Sequence, residues 1–97
     1  MSKDTNNVLV KHLTEFGLSE KEAKVYLALL ELEVATATEI AKNSNIKRSS
    51  TYVVLESLKE KGLVGTTEEK RIQRFVASSP DFLLYQAQDY AFLLFLY

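Results

Sequence analysis

The feature that most narrows what this chain can fold into is a change of period at Gly62. Before it, apolar residues recur at three- and four-residue spacing in short segments separated by polar turns, the signature of short amphipathic helices. After it, β-branched and aromatic residues gather in two short runs, Leu63-Val64 and Ile72 to Ala77, around a polar Thr66 to Lys70 segment, which predicts a two-stranded hairpin.

The helical part divides at its start and stop signals. Met1 to Asn7 is polar and expected to fray. Val8, Leu9, His12, Leu13 and Phe16 predict a first helix that Gly17 ends. His12 is read as a packed or surface helix residue, because no carboxylate–nucleophile pattern accompanies it. Ser19 and Glu22 form a capping box, in which each side chain satisfies an otherwise unpaired backbone N–H. Ala23, Tyr26, Leu27, Leu30 and Val34 mark the stripe of the second helix, and Glu33 to Thr36 its exit. Thr36 and Glu39 repeat the capping box and open a short helix of small residues to about Lys42. Asn43-Ser44-Asn45 predicts a turn, with Ile46 plugging it into the core. Lys47 to Lys61 is the fourth helix, with Tyr52, Leu55 and Leu58 on one stripe, Val54 at its flank and Gly62 as C-cap. Ser79-Pro80 predicts a further helix start. The fold class is therefore mainly α with a small β-hairpin, in the order of a winged helix-turn-helix with flanking N- and C-terminal helices.

Composition removes several kinds of chemistry. With 97 residues, one winged domain over residues 1–79 and one terminal segment over 80–97 is the expected division. Cysteine is absent and histidine occurs once, so no thiol chemistry, disulfide or structural metal site is expected. No glycine-rich phosphate loop or nucleophile–base pair appears, so neither an enzyme nor a cofactor is expected. No signal peptide opens the chain, and a cytoplasmic location is the expectation. The net charge of −1 conceals an asymmetry. Lys42 to Arg74 holds eight basic residues and four acids, so the acidic excess lies elsewhere. A nucleic-acid footprint depends on the local face rather than on the total.

That face points to double-stranded DNA. A helix entering the major groove needs donors near its N-terminus. The fourth helix supplies Lys47, Arg48, Ser49, Ser50 and Thr51 there, and Arg48 has the fork that matches guanine. Thr36 and Thr38 at the start of the preceding helix join the candidate set, as does Tyr52, which also reads as a core residue at the helix–wing junction. The wing adds Lys70, Arg71 and Arg74 for the backbone or the adjacent minor groove. The serine pair also reads as a cap, and the wing arginines as exposed strand residues. The competing reading is a winged-helix protein–protein module without DNA binding.

Several runs in register resemble one family. Phe16-Gly17-Leu18-Ser19-Glu20-Lys21-Glu22-Ala23-Lys24-Val25-Tyr26-Leu27-Ala28-Leu29-Leu30 resembles the opening of TrmB-type transcriptional regulators, mainly archaeal winged-helix proteins, many of them sugar-responsive. Thr38-Glu39-Ile40-Ala41, Lys47 to Tyr52 and Leu55 to Val64 resemble later parts, and Arg74-Phe75 with Ser79-Pro80 the wing exit and following helix. The resemblance covers about Val8 to Leu84. It implies that the Arg48 helix is the recognition helix, that Lys70 to Arg74 is the wing, and that the helix after the wing dimerises. Val53 stands where the family often has a polar residue, and Ile72 replaces a frequent wing proline. The 97 residues do not include the large effector domain of many relatives, so no small-molecule effector site is expected within them, and a longer parent protein cut at Tyr97 stays an open alternative.

The tail supports the same expectation independently. Phe82, Leu83, Leu84 and Tyr85, then Tyr90, Phe92, Leu93 and Leu96, give a segment apolar on more than one face. A membrane span needs about 20 mostly apolar residues, and Gln86, Gln88 and Asp89 interrupt this run, so no membrane association is expected. A homodimer interface is the expected cover, with Phe82, Leu83, Tyr85, Tyr90, Phe92, Leu93 and Leu96 as its residues. Two-fold pairing would present two recognition helices to a palindromic site.

Overall fold

The computed structural model describes residues 3–78. Within them the order is α1 (Lys3–Glu15), α2 (Glu20–Leu32), β1 (Val34–Ala35), α3 (Ala37–Ser44), α4 (Arg48–Glu60), β2 (Val64–Glu69) and β3 (Ile72–Ala77). The predicted terminal helix, with Phe82, Leu83, Tyr85, Tyr90, Phe92, Leu93 and Leu96, lies outside the described residues, as do Ser79 and Pro80. None of the described helices is long and apolar enough to cross a membrane.

Local signals act where expected. Both capping boxes form: Ser19 Oγ accepts from the Glu22 N–H at 3.0 Å while Glu22 accepts from the Ser19 N–H at 2.8 Å. Thr36 and Glu39 repeat the exchange at 3.3 and 2.9 Å. Asn45 adopts φ 58° and reverses the chain between α3 and α4. Its neighbour Ile46 donates its N–H to Ala41 and packs on the core. Gly62, at φ 77°, ends α4 in a backbone region that L side chains rarely adopt.

Two expectations need correction. The polar opening is helical from Lys3, so α1 starts before its apolar stripe. The wing is a three-stranded sheet of order β1-β3-β2 rather than a bare hairpin. In the segment read only as an exit, Val34 pairs with Val76 and Ala35 with Phe75. Glu33 makes this possible by turning at φ 70° and ψ −61°, close to the rare γ-turn, while its N–H still bonds Leu29 at 2.8 Å. Thr66 to Glu69, read as part of the turn, belongs to β2.

One core joins these layers. Tyr26 and Leu29 of α2, Ile40 of α3, Leu55 and Leu58 of α4, then Leu63 and Phe75 of the wing are at most 2% exposed. The Tyr26 hydroxyl donates to the Ser78 carbonyl at 3.3 Å, so the largest buried side chain ties α2 to the strand leaving the wing. Burial pushes its phenol pKa up. The result is a platform that fixes the direction of α4 and the wing together.

Candidate nucleic-acid interface

The face of α4 that meets the core consists of Thr51, Val54, Leu55 and Leu58. Thr51 is therefore removed from the expected contacts: it is 0% exposed, and its hydroxyl donates to the Lys47 carbonyl at 2.9 Å. Tyr52 is corrected in the other direction. It does not share the stripe of Leu55 and Leu58 but is 39% exposed, one turn beyond Arg48, from which its hydroxyl accepts a hydrogen bond. The buried stripe follows the i, i+3, i+4, i+7 row from Thr51, which puts Thr51 rather than Tyr52 above Leu55 on the core side.

The N-terminus of α4 differs from those of α2 and α3. Its N-cap, Lys47, makes no side-chain cap hydrogen bond, and its first turn contains no acid. The first N–H groups of a helix have no intrahelical partner, so those of α4 stay open toward solvent. Lys47, Arg48 and Ser49 around them are exposed, and Ser50 is half-buried. Positive partial charge, free N–H donors and two cations here form an electrostatic surface suited to phosphate.

Arg48 is held in place. Its Nε donates to Thr38 Oγ1 at 2.9 Å and its Nη2 to the Tyr52 hydroxyl oxygen at 3.2 Å. Its Cζ also lies 5.2 Å from the centroid of the Tyr52 ring, within cation–π range. The side fork that includes Nε is thereby closed, and the Nη1 donors at the tip remain for a ligand. Thr38 and Tyr52, both expected contacts, thus meet at Arg48. Thr36 is committed otherwise, since its hydroxyl serves the α3 cap.

The wing presents its charge at the tip. Lys70 and Arg71 form the two-residue turn between Glu69 and Ile72, with φ 53° and 66°. Two positive φ values are what a type I′ hairpin turn requires, usually from Asn-Gly. Arg74 is half-buried on β3 opposite Thr67. Glu39 has its pKa lowered, first by the Thr36 N–H, then by the Thr36 hydroxyl, with the Arg74 charge a smaller contribution.

Sequence reasoning missed two cations. An open cleft of about 620 Å³ between the start of α2 and the α3–α4 turn is lined by Lys21, Lys24, Lys47 and Ser50. Lys24 also pairs with Glu20 at 3.1 Å. Their three-residue spacing on the polar face of α2 was the available signal, but they lie outside the basic stretch from Lys42 to Arg74. Among the described residues, no cluster of histidine and acidic side chains has the arrangement of a metal site.

Three helices ending on a recognition-type helix, backed by a three-stranded wing, define a winged helix-turn-helix. The family described as "Sugar-specific transcriptional regulator TrmB" matches residues 13–81, and the chain belongs to that family. It is 41% identical over 56 residues to the HTH-type sugar sensing transcriptional regulator TrmBL1 of Pyrococcus furiosus, a stretch that is 58% of this chain and 16% of that protein. It is similar to the structure of TrmBL2, described as an archaeal chromatin protein with a novel mode of DNA binding. That match has a TM-score of 0.76 and 32% identity over 93% of this chain and 35% of that one. A MarR-family transcriptional regulator from Silicibacter pomeroyi shares the fold, with TM-score 0.67 and 21% identity, over 82% of this chain and 56% of that one. The chain thus spans a minor part of the length of its TrmB-type relatives.

Proposed function

We propose that this domain binds double-stranded DNA sequence-specifically and thereby regulates transcription, with α4 in the major groove and the wing on the backbone or in the adjacent minor groove. The observation that carries the reading is the start of α4: uncapped, free of acids, and bearing an Arg48 whose tip donors are left over after Thr38 and Tyr52 have fixed it. Lys47, Ser49, Ser50 and the cleft lysines Lys21 and Lys24 follow the phosphates beside it, and Lys70, Arg71 and Arg74 hold the flanking backbone. That TrmBL1 is a transcriptional regulator and that TrmBL2 binds DNA supports the DNA-binding and regulatory part of this reading.

A selected-DNA binding profile of the full chain, followed by titration of the enriched and a random duplex at several salt concentrations, tests this. The expected result is an enriched motif containing guanine, with affinity falling steeply with salt on both duplexes. No enrichment, together with salt-independent affinity, would return the domain to a protein–protein role.

The proposal includes a homodimer held by the apolar tail, residues 80–97, through Phe82, Leu83, Tyr85, Tyr90, Phe92, Leu93 and Leu96. An exposed segment this apolar needs cover, and two-fold symmetry supplies it. Sedimentation of the full chain against a version ending at Gln88 decides. Dimerisation of the full chain alone places the interface in the last turns, whereas monomers in both cases would put the tail on its own domain.

A further inference from the structure

Val53 is 71% exposed, further out than Tyr52 at 39% or Ile72 at 46%. A single exposed apolar side chain is ordinary on a protein surface. Its place is not. The core-facing side of α4 is Thr51, Val54, Leu55 and Leu58, and Val53 lies on the opposite side. It follows Ser49 by one turn and precedes Glu56 by three residues, so these three define the outermost face of the helix. Ser49 and Glu56 are polar, and Val53 puts a β-branched apolar side chain, a weaker helix former than alanine, between them.

In a recognition helix the side chains of the first turns reach base edges from its N-terminal end, as Arg48 does in the proposed placement, and the outermost face behind them lies toward the groove floor. Val53 lies about 7.5 Å along the axis from Arg48 at 1.5 Å per residue. That is roughly two base-pair steps at 3.4 Å each. The apolar group that the major groove displays at that depth is the C5-methyl of thymine, since the other base-edge features are hydrogen-bond donors and acceptors. Valine offers no hydrogen bond to those features and would leave them unpaired, but it complements a methyl group.

We propose that Val53 is a specificity-determining residue that reads the C5-methyl of a thymine one or two base pairs from the guanine facing Arg48. This rests on the proposed placement of α4 in the major groove. It assigns a sequence preference to a position whose side chain makes no polar contact, and it predicts a preference that polar residues at Val53 would not share.

The test uses the full chain and a duplex carrying its selected site, with each thymine replaced in turn by deoxyuridine, which removes the methyl group alone. Wild-type protein is expected to lose about fourfold in affinity at one thymine, the effect of about 0.8 kcal/mol per buried methyl-sized group. Val53→Ala is expected to show the same loss on the thymine duplex, to bind thymine and deoxyuridine duplexes equally, and to keep the wild-type salt slope. Thermal melting checks that Val53→Ala is no less stable than wild type. Wild-type indifference to deoxyuridine at every thymine overturns the proposal. So does an unchanged thymine preference in Val53→Ala, or a selected site without thymine in the bases that α4 spans. Arg48→Ala, run on the selected and random duplexes, separates the two levels. If it loses specific binding while the deoxyuridine arm fails, only Val53 is misassigned. If it binds both duplexes as wild type does, the placement of α4 fails and this inference with it.

Discussion

The two ends of α4 carry polar clusters of the same size and opposite character. Near its C-terminus, Glu22 of α2 accepts from Lys61 Nζ at 2.8 and 2.9 Å and from the Ser57 hydroxyl at 2.6 Å, on top of its own capping bond from the Ser19 N–H. That carboxylate is 8% exposed, and its acceptor sites are filled. Near the N-terminus, Thr38, Arg48 and Tyr52 are exposed, and the arginine keeps donors to spare. A closed network inside a partly dry site fixes how two helices meet. An open one on the surface adds little to stability and holds a charged group ready for a ligand. One helix thus has one end committed to holding the fold and another that keeps a charged group free for a ligand.

The largest expected effect breaks the closed end. Burial alone would raise the pKa of Glu22, but hydrogen bonds from Lys61, the Ser19 N–H and Ser57, with the charge of Lys61, outweigh it and hold the group at about 2. A folded-state value below the unfolded one, about 4.3, means stability that is present at neutral pH and lost as pH falls from about 4 to 2. Glu22→Gln is expected to lower stability by about 2–3 kcal/mol at pH 7 and to flatten that acid limb. Denaturant melts at pH 7 and pH 3 measure both. Affinity for DNA, measured well below the melting temperature, should stay within a factor of two or so, since the two ends are separate and their effects additive. A loss of specificity in this variant would join the two clusters into one.

The next effect breaks the open end. Arg48→Ala is expected to weaken binding to the selected site by about 1–3 kcal/mol while changing stability by less than about 0.5 kcal/mol. Equal losses on selected and random DNA would demote Arg48 to a phosphate contact, and a large drop in melting temperature would make its cluster a structural one.

The wing repeats the contrast within a single turn. Lys70 and Arg71 occupy positive-φ positions that suit Asn-Gly, at a strain of about 1 kcal/mol each for ordinary side chains. Lys70→Asn with Arg71→Gly is expected to raise stability by about 1–2 kcal/mol and to reduce the slope of log affinity against log salt by up to about 1.8, at 0.9 per lost phosphate contact. Greater stability with an unchanged slope would place the tip away from DNA.

The helical frame and the hairpin were legible because their signals are local: two capping boxes, Asn45, Gly62 and a period that switches from helix to strand. β1 was not legible, because a two-residue strand carries almost no pattern and its turn residue, Glu33, is neither glycine nor asparagine. In the candidate site, charge and position singled out Arg48, Ser49 and the wing tip, and all of these are exposed. Thr51 and Tyr52 exchanged roles because both rows, from residue 51 or from residue 52, run through Leu55 and Leu58, and only the packing of α2, α3 and β2 against α4 decides between them. The Glu22–Ser57–Lys61 network was invisible for a related reason. Its members lie 35 and 39 residues from Glu22 in the chain, and only the crossing of α2 with α4 brings them together.

The smallest expected effect has the most to say about the open end. Tyr52→Phe keeps the ring under Arg48 and removes only the hydroxyl oxygen that accepts from Nη2. An arginine loses up to about 2 kcal/mol of rotamer entropy when it is fixed, so one already held by Thr38 and Tyr52 meets a base with part of that loss behind it. The variant is then expected to bind the selected site more weakly by about 0.5 kcal/mol, with random DNA and melting temperature unchanged. The sign is the decisive reading in a competition titration of the two proteins. If Arg48 has to leave Thr38 and Tyr52 before it reaches a base, removing the acceptor strengthens specific binding instead. The cluster at the start of α4 would then be a restraint on reading rather than a support for it.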